Sequence, residues 1–377
     1  MRRITVAIDS FKGSLTSREA AEAFAEGFLA CFPQCEVRRV SVADGGEGTL
    51  EALVETLGGE YVEARVHDPL MRPLVARYGV VDGGTTAVVE MAAASGLPLL
   101  RPEERNPWLT TTYGTGELIA DALSRGCRRF LVAIGGSATN DGGMGLLRAL
   151  GFRFLDGAGC EVQGGGGALE AVAAIDASQV LAEVAESSFV VACDVTNPLY
   201  GKAGAAHVFA PQKGADAAMV ERLDDGLRNY ARVVERFSGV SIADMAGAGA
   251  AGGLGGGLSA LLGARLEAGV EMVLRAMRFD EIVAGSDLVV TGEGRLDSQT
   301  LCGKAPSGVL RYASAQGIPT VAIGGSVERC EALEQSGFVA LWPVMGESQT
   351  LEEAMQPAVA RENVRRAAYE IARMFSR

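Results

Sequence analysis

Five short apolar runs, each the length of a buried parallel strand, end on loops crowded with glycine, hydroxyl and carboxylate residues. Residues 4–8 precede Asp9-Ser10-Phe11-Lys12-Gly13-Ser14, and residues 37–42 precede Asp44-Gly45-Gly46-Glu47-Gly48. Residues 130–134 precede the glycine-rich stretch 135–143, residues 189–193 precede Asp194, and residues 288–290 precede Thr291-Gly292-Glu293-Gly294-Arg295. Open α/β sheets bind ligands just beyond the carboxyl ends of their strands. Five such loops in one chain therefore point to an active site.

The 377 residues are long for one core, so two domains are expected. Fifty glycines exceed the typical share of ~7%, and they gather at strand ends, where turns and close ligand approach need them. A net charge of −13 disfavours nucleic acid and anionic membranes as partners. Seven scattered cysteines and two histidines argue against a zinc site and suit a reducing cytoplasm. No segment approaches the ~20 apolar residues of a membrane span, and the N-terminal apolar run is cut short by Asp9.

Both ends of the chain alternate strand and helix. Thr16 and Glu19 form a capping-box pair, and Ala21, Phe24, Ala25, Phe28 and Phe32 follow at helical spacing until Pro33. A second helix is expected over 49–57. The last ninety residues predict strands at 288–290, 320–323 and 338–342, with helices at 306–316, 328–335 and 357–375. Two N-terminal and three C-terminal parallel strands make one flavodoxin-like sheet. The expected organisation is thus a discontinuous α/β domain of residues 1–60 and 286–377, with residues 61–285 inserted as a mixed α/β domain and the site in the cleft between them. The insert opens with strand-like runs at 61–66, 75–81 and 86–91 and carries a long amphipathic helix near 217–237.

Phosphate binding is the chemistry these loops suggest, because successive glycine amides form anion-binding nests. Gly135, Gly136, Ser137, Thr139, Asn140 and Asp141 supply amides, hydroxyls and a carboxylate in one stretch; a purely structural strand-to-helix turn is the alternative. The run from Gly247 matches the spacing G-x-G-x-x-G without a preceding strand or a following ribose-binding acid. It reads as a hinge, an anion-facing helix start or a tight helix crossing. Phosphoryl transfer needs cations, carboxylates for Mg²⁺ and a group to orient the attacking hydroxyl. Asp9, Asp44, Glu47, Asp141, Asp194, Glu293 and Asp297 are the candidate acids, and Lys12, Lys213, Arg295 and Lys304 the candidate cations. Helix caps and solvated charges are the ordinary roles for such residues. The threonines 110–112 either donate hydroxyls to a carboxylate substrate or cap the next helix.

Together, Asp9-Ser10-Phe11-Lys12-Gly13-Ser14-Leu15, Val42-Ala43-Asp44-Gly45-Gly46-Glu47-Gly48-Thr49, the 135–143 loop, Cys193-Asp194-Val195-Thr196-Asn197-Pro198-Leu199, Phe209-Ala210-Pro211-Gln212-Lys213-Gly214, the glycines 247–253 and Thr291-Gly292-Glu293-Gly294-Arg295-Leu296-Asp297-Ser298-Gln299-Thr300 resemble the bacterial type-1 glycerate kinase family. The departures are Ile8 in place of a usual proline and Ile323-Gly324-Gly325-Ser326 in place of the more usual Ala-Gly-Ser. The resemblance implies a cytoplasmic two-domain kinase of D-glycerate that uses ATP and Mg²⁺ and forms 2-phosphoglycerate. It leaves 3-phosphoglycerate, or another small hydroxy acid, as the alternative, and a homo-oligomer open. A nicotinamide-dependent oxidoreductase and a non-catalytic nucleotide sensor are the more distant readings.

On this reading Lys12, Asp194, Glu293 and Arg295 are the catalytic candidates, with Asp194 and Glu293 also holding the metal. Ser10, Asp44, Glu47, Thr112 and Asp297 are assigned to substrate. The nucleotide is assigned to Gly135, Gly136, Ser137, Thr139, Asn140 and Asp141 together with Gly249, Gly252 and Gly253.

Overall fold

The amino-terminal apolar run forms the strand β1 (Arg3–Ile8), whose Ile4, Val6 and Ile8 are fully buried. It lies inside a parallel sheet completed by β2 (Glu36–Arg39), β3 (Leu288–Leu296), β4 (Thr320–Val327) and β5 (Ala340–Pro343), in the order β2-β1-β3-β4-β5. This is the flavodoxin-like order, in which the direction of winding reverses between β1 and β3. The expected parallel sheet built from both ends of the chain is therefore present. The computed structural model describes residues 1–346 and 348–376.

Two compact units make up the chain. The first comprises Met1–Asp44, Glu51–Thr56 and Val270–Arg377, the second Gly45–Leu50 and Leu57–Gly269. In the first unit the helices around 270–283 pack on the helix α2 (Ala305–Ala315): Phe279 meets Tyr312 edge-on at 5.9 Å and the Tyr312 hydroxyl donates to Glu271 at 2.8 Å.

In the first unit, helix α1 (Ser17–Leu29) starts at the Thr16–Glu19 capping box and buries Ala20, Ala21, Phe24 and Phe28. Full burial of each phenylalanine contributes roughly 2–3 kcal/mol. Two further helices, α3 (Leu351–Ala354) and α4 (Pro357–Phe375), follow β5. Helix α4 crosses α1 so closely at Gly27 that a Cβ there would lie 2.0 Å from the Arg365 carbonyl oxygen.

Two strands differ from expectation. The run at 288–290 does not end in a loop: β3 continues through Glu293 and Arg295, because β4 pairs with it as far as Arg295–Ser326 and Leu296–Val327 and satisfies its backbone. The run at 37–42 makes only a four-residue edge strand, extended by one bond from Val40 N–H to the Val6 carbonyl.

In the second unit a six-stranded mixed sheet runs Arg265–Glu267, Ser188–Ala192, Arg129–Ala133, Thr86–Glu90, Pro73–Val81, Glu60–His67, the first four parallel. Phe130 and Phe189 stack at 4.8 Å within it. The long helix Ala217–Ser238 buries Val220, Leu223, Leu227, Tyr230 and Val234, the stripe that its sequence spacing predicts. No helix among the described residues is long and apolar enough to cross a membrane.

Candidate active site

Asp9 is the first residue past β1, and its N–H continues the ladder by donating to the Gly292 carbonyl of β3 at 2.9 Å. That places Asp9 at the carboxyl end of β1, beside the strand across which the sheet order reverses. The side chain is buried, and Ser10 N–H donates to its Oδ1 at 2.6 Å. Burial, with Asp44 and then Glu293 adding like charge, pushes Asp9 up to about 7; the Ser10 N–H and Lys12 oppose this only in part. A carboxyl that titrates near neutrality can take a proton from a hydroxyl.

Glu293 is buried on β3. Its Oε1 accepts from the Thr300 hydroxyl at 2.7 Å and its Oε2 from Lys304 Nζ at 3.1 Å. Burial raises this carboxyl above the ordinary glutamate range, against the pull of Thr300 and Lys304. Lys12 stands exposed at the tip of the turn that Phe11 and Leu15 close, with Gly13 at φ 81. Arg295 is exposed, paired with Glu328 and, at 3.3 Å, with Asp297. The Oδ1 of Asp297 accepts from Gln299 N–H at 2.9 Å and caps the turn Ser298–Leu301, so this carboxylate serves the local backbone as well as Arg295.

Asp9, Ser10, Lys12, Asp44, Glu293, Arg295 and Lys304 line one wall of a cavity of about 340 Å³ in the first unit, within the usual size range of small-molecule sites. Its other wall is apolar and comes from the region of α3 and α4. Among the described residues no group of three or more His, Cys, Asp or Glu is arranged to hold a metal alone. Carboxylates on one cavity still fit Mg²⁺, which takes one or two of them together with substrate phosphates and water.

The second unit holds the remaining expected residues. In the 135–143 loop only Gly135 and Gly136 are exposed; Ser137, Thr139, Asn140 and Asp141 are buried. Asp141 Oδ2 accepts from Thr112 N–H at 2.8 Å, the Thr112 hydroxyl at 2.9 Å and Gly145 N–H at 3.2 Å, and its Oδ1 accepts from Gly143 N–H at 3.2 Å. The Thr112 hydroxyl in turn accepts from Leu146 N–H at 2.9 Å. Both side chains thus lock the strand-to-helix turn, with the Thr112 hydroxyl and the Asp141 carboxylate engaged with each other. Lys213 is fully buried, donating to Ser137 Oγ at 2.7 Å and to the Thr139 carbonyl at 2.6 Å; burial pushes it down to about 7. Among the described residues, the Thr139 hydroxyl and both polar atoms of the buried Asn140 side chain have no hydrogen-bond partner.

Gly249, Gly252 and Gly253 are also buried. A Cβ on Gly252 would lie 2.1 Å from the Thr139 carbonyl oxygen, and one on Gly249 2.3 Å from that of Pro198. At these two positions the backbone packs too closely to admit a side chain. Asp194 is exposed and accepts from Gly269 N–H at 2.8 Å; it belongs to the second unit and Glu293 to the first. Glu47 is exposed in the turn before the helix Thr49–Leu57.

The model of the glycerate kinase family matches residues 4–376. The chain belongs to the glycerate kinase family. It is 47% identical to a glycerate kinase of Bacillus subtilis (strain 168), over 98% of this chain and 97% of the relative. It is 44% identical to a glycerate 2-kinase of Escherichia coli (strain K12), with the same two coverages. A crystal structure from Salmonella typhimurium LT2, assigned as a glycerate kinase 2, superposes with a TM-score of 0.91 at 44% identity, covering 100% of this chain and 98% of that one. The enzyme is accordingly a glycerate kinase.

Sequence reasoning weighed Asp9 and Lys304 among many charges without selecting them. The signal that singles out Asp9 is its place directly after β1, at the reversal of the sheet order. No local pattern marks the apolar wall.

Proposed function

We propose that this glycerate kinase transfers the γ-phosphoryl group of ATP to the C2 hydroxyl of D-glycerate, giving 2-phosphoglycerate and ADP. The observation that carries the reading is Asp9: a buried carboxyl pushed up to about 7 on a cavity wall that also presents Lys12, Lys304 and Arg295. The C2 position follows the name of the Escherichia coli relative.

The hydroxyl oxygen attacks the γ-phosphorus as the bond from that phosphorus to the bridging oxygen breaks. The hydroxyl proton passes to Asp9, and ADP leaves with the electron pair of the broken bond. Lys12 and Arg295 neutralise charge on the phosphoryl oxygens. Lys304 holds Glu293 in place at 3.1 Å. Glu293 and Asp44 are the residues that would hold Mg²⁺; the ion would supply charge neutralisation of the phosphates.

ADP release measured with ATP and Mg²⁺, with and without D-glycerate, tests this. ADP that forms only with glycerate is expected. ADP formed equally without glycerate, or none with it, would overturn the reading.

A further inference from the structure

The cavity in the first unit has two walls of different chemistry. The charged wall suits phosphoryl transfer, but glycerate, a three-carbon acid with two hydroxyls, has almost no apolar surface to bury on the other. That second wall carries Met345, Leu351, Met355, Ala360 and Val364, with Phe11 lining the cavity beside Lys12. Leu351 and Met355 are 67% and 39% exposed, which leaves large apolar side chains facing water at the rim. Asn363, the polar residue of α4 on this wall, is buried and already pairs with Gln349 through both amide atoms, at 2.8 and 3.3 Å.

A ligand that reaches both sets of residues is charged at one end and apolar at the other. We infer that the apolar wall seats the aromatic base of the nucleotide, with its phosphates directed toward Lys12. Methionine side chains adapt to a ring and make favourable sulfur–aromatic contacts, and doubly wound sheets take nucleotides at the point where strand order reverses. The inference rests on the reading of ATP as the phosphoryl donor and adds where its base binds.

The test is calorimetric binding of ATP and of inorganic tripolyphosphate, each with Mg²⁺, to the full-length enzyme and to a variant carrying Leu351→Ser and Met355→Ser. Both positions are at the rim, so folding should survive, and far-ultraviolet circular dichroism checks this. The wild type is expected to bind ATP more tightly than tripolyphosphate. The variant should weaken ATP by about ten-fold or more and leave tripolyphosphate within about two-fold. Equal weakening of both ligands, unchanged ATP affinity, or wild-type binding that ignores the base would overturn the inference. Base-dependent ATP binding without glycerate phosphorylation would instead sink the donor reading and leave the base site standing.

Discussion

Replacing Asp9 by Asn tests the base and its burial together. Asp9 has an ordinary value of 3.8 when unfolded and is pushed up to about 7 in the folded chain. At about 1.4 kcal/mol per pH unit, this corresponds to about 4 kcal/mol of destabilisation once the group is ionised in both states. Below pH ~4 the carboxyl is protonated folded and unfolded, and the cost vanishes. Between about 4 and 7 the unfolded chain releases the proton and the folded one retains it, so stability falls as pH rises; above 7 the full cost applies. Asn keeps the acceptor for Ser10 N–H but brings an amide needing its own partner, so about half the gain, roughly 2 kcal/mol, is expected. Urea unfolding without nucleotide should show Asp9→Asn more stable than wild type, by at least about 1 kcal/mol more at pH 8 than at pH 5. Its turnover should fall by about 10²–10⁴-fold. A stability difference that does not change with pH, or near-normal turnover, would refute the reasoning.

Other substitutions separate chemistry from scaffold. Lys12→Ala and Arg295→Ala should each lower kcat by about 10³-fold; near-normal rates would remove those residues from the charge-neutralising role. Gly252→Ala places a Cβ 2.1 Å from the Thr139 carbonyl at φ +69, and should cost about 3 kcal/mol or more, read as a lower midpoint in thermal unfolding. Asp141→Ala leaves the N–H groups of Thr112, Gly143 and Gly145 without their acceptor and should cost about 3 kcal/mol or more in urea unfolding.

The fold was legible where local and long-range signals agree. The Thr16–Glu19 box and the spacing of Phe24 and Phe28 mark α1 directly, and the strand–helix alternation at both termini predicts the parallel sheet. Gly292 and Gly294 misled, because glycine ordinarily punctuates strands, whereas here β4 supplies partners along most of β3. The glycines from 247 onward look like a ligand loop in one dimension. The backbone they pack against, such as Thr139 beneath Gly252, is distant in sequence and leaves no local signal. Asp9 could not be separated from other acids for the same reason: its environment is Asp44 and Glu293, distant in sequence. The apolar wall is likewise made of residues that read as ordinary helix faces.

Phosphorus NMR of the product formed from ATP, Mg²⁺ and D-glycerate tests the central claim most directly. A new phosphomonoester signal split into a doublet by one methine proton is predicted, as transfer to C2 requires. A triplet from a methylene group, or no new phosphomonoester at all, would contradict it.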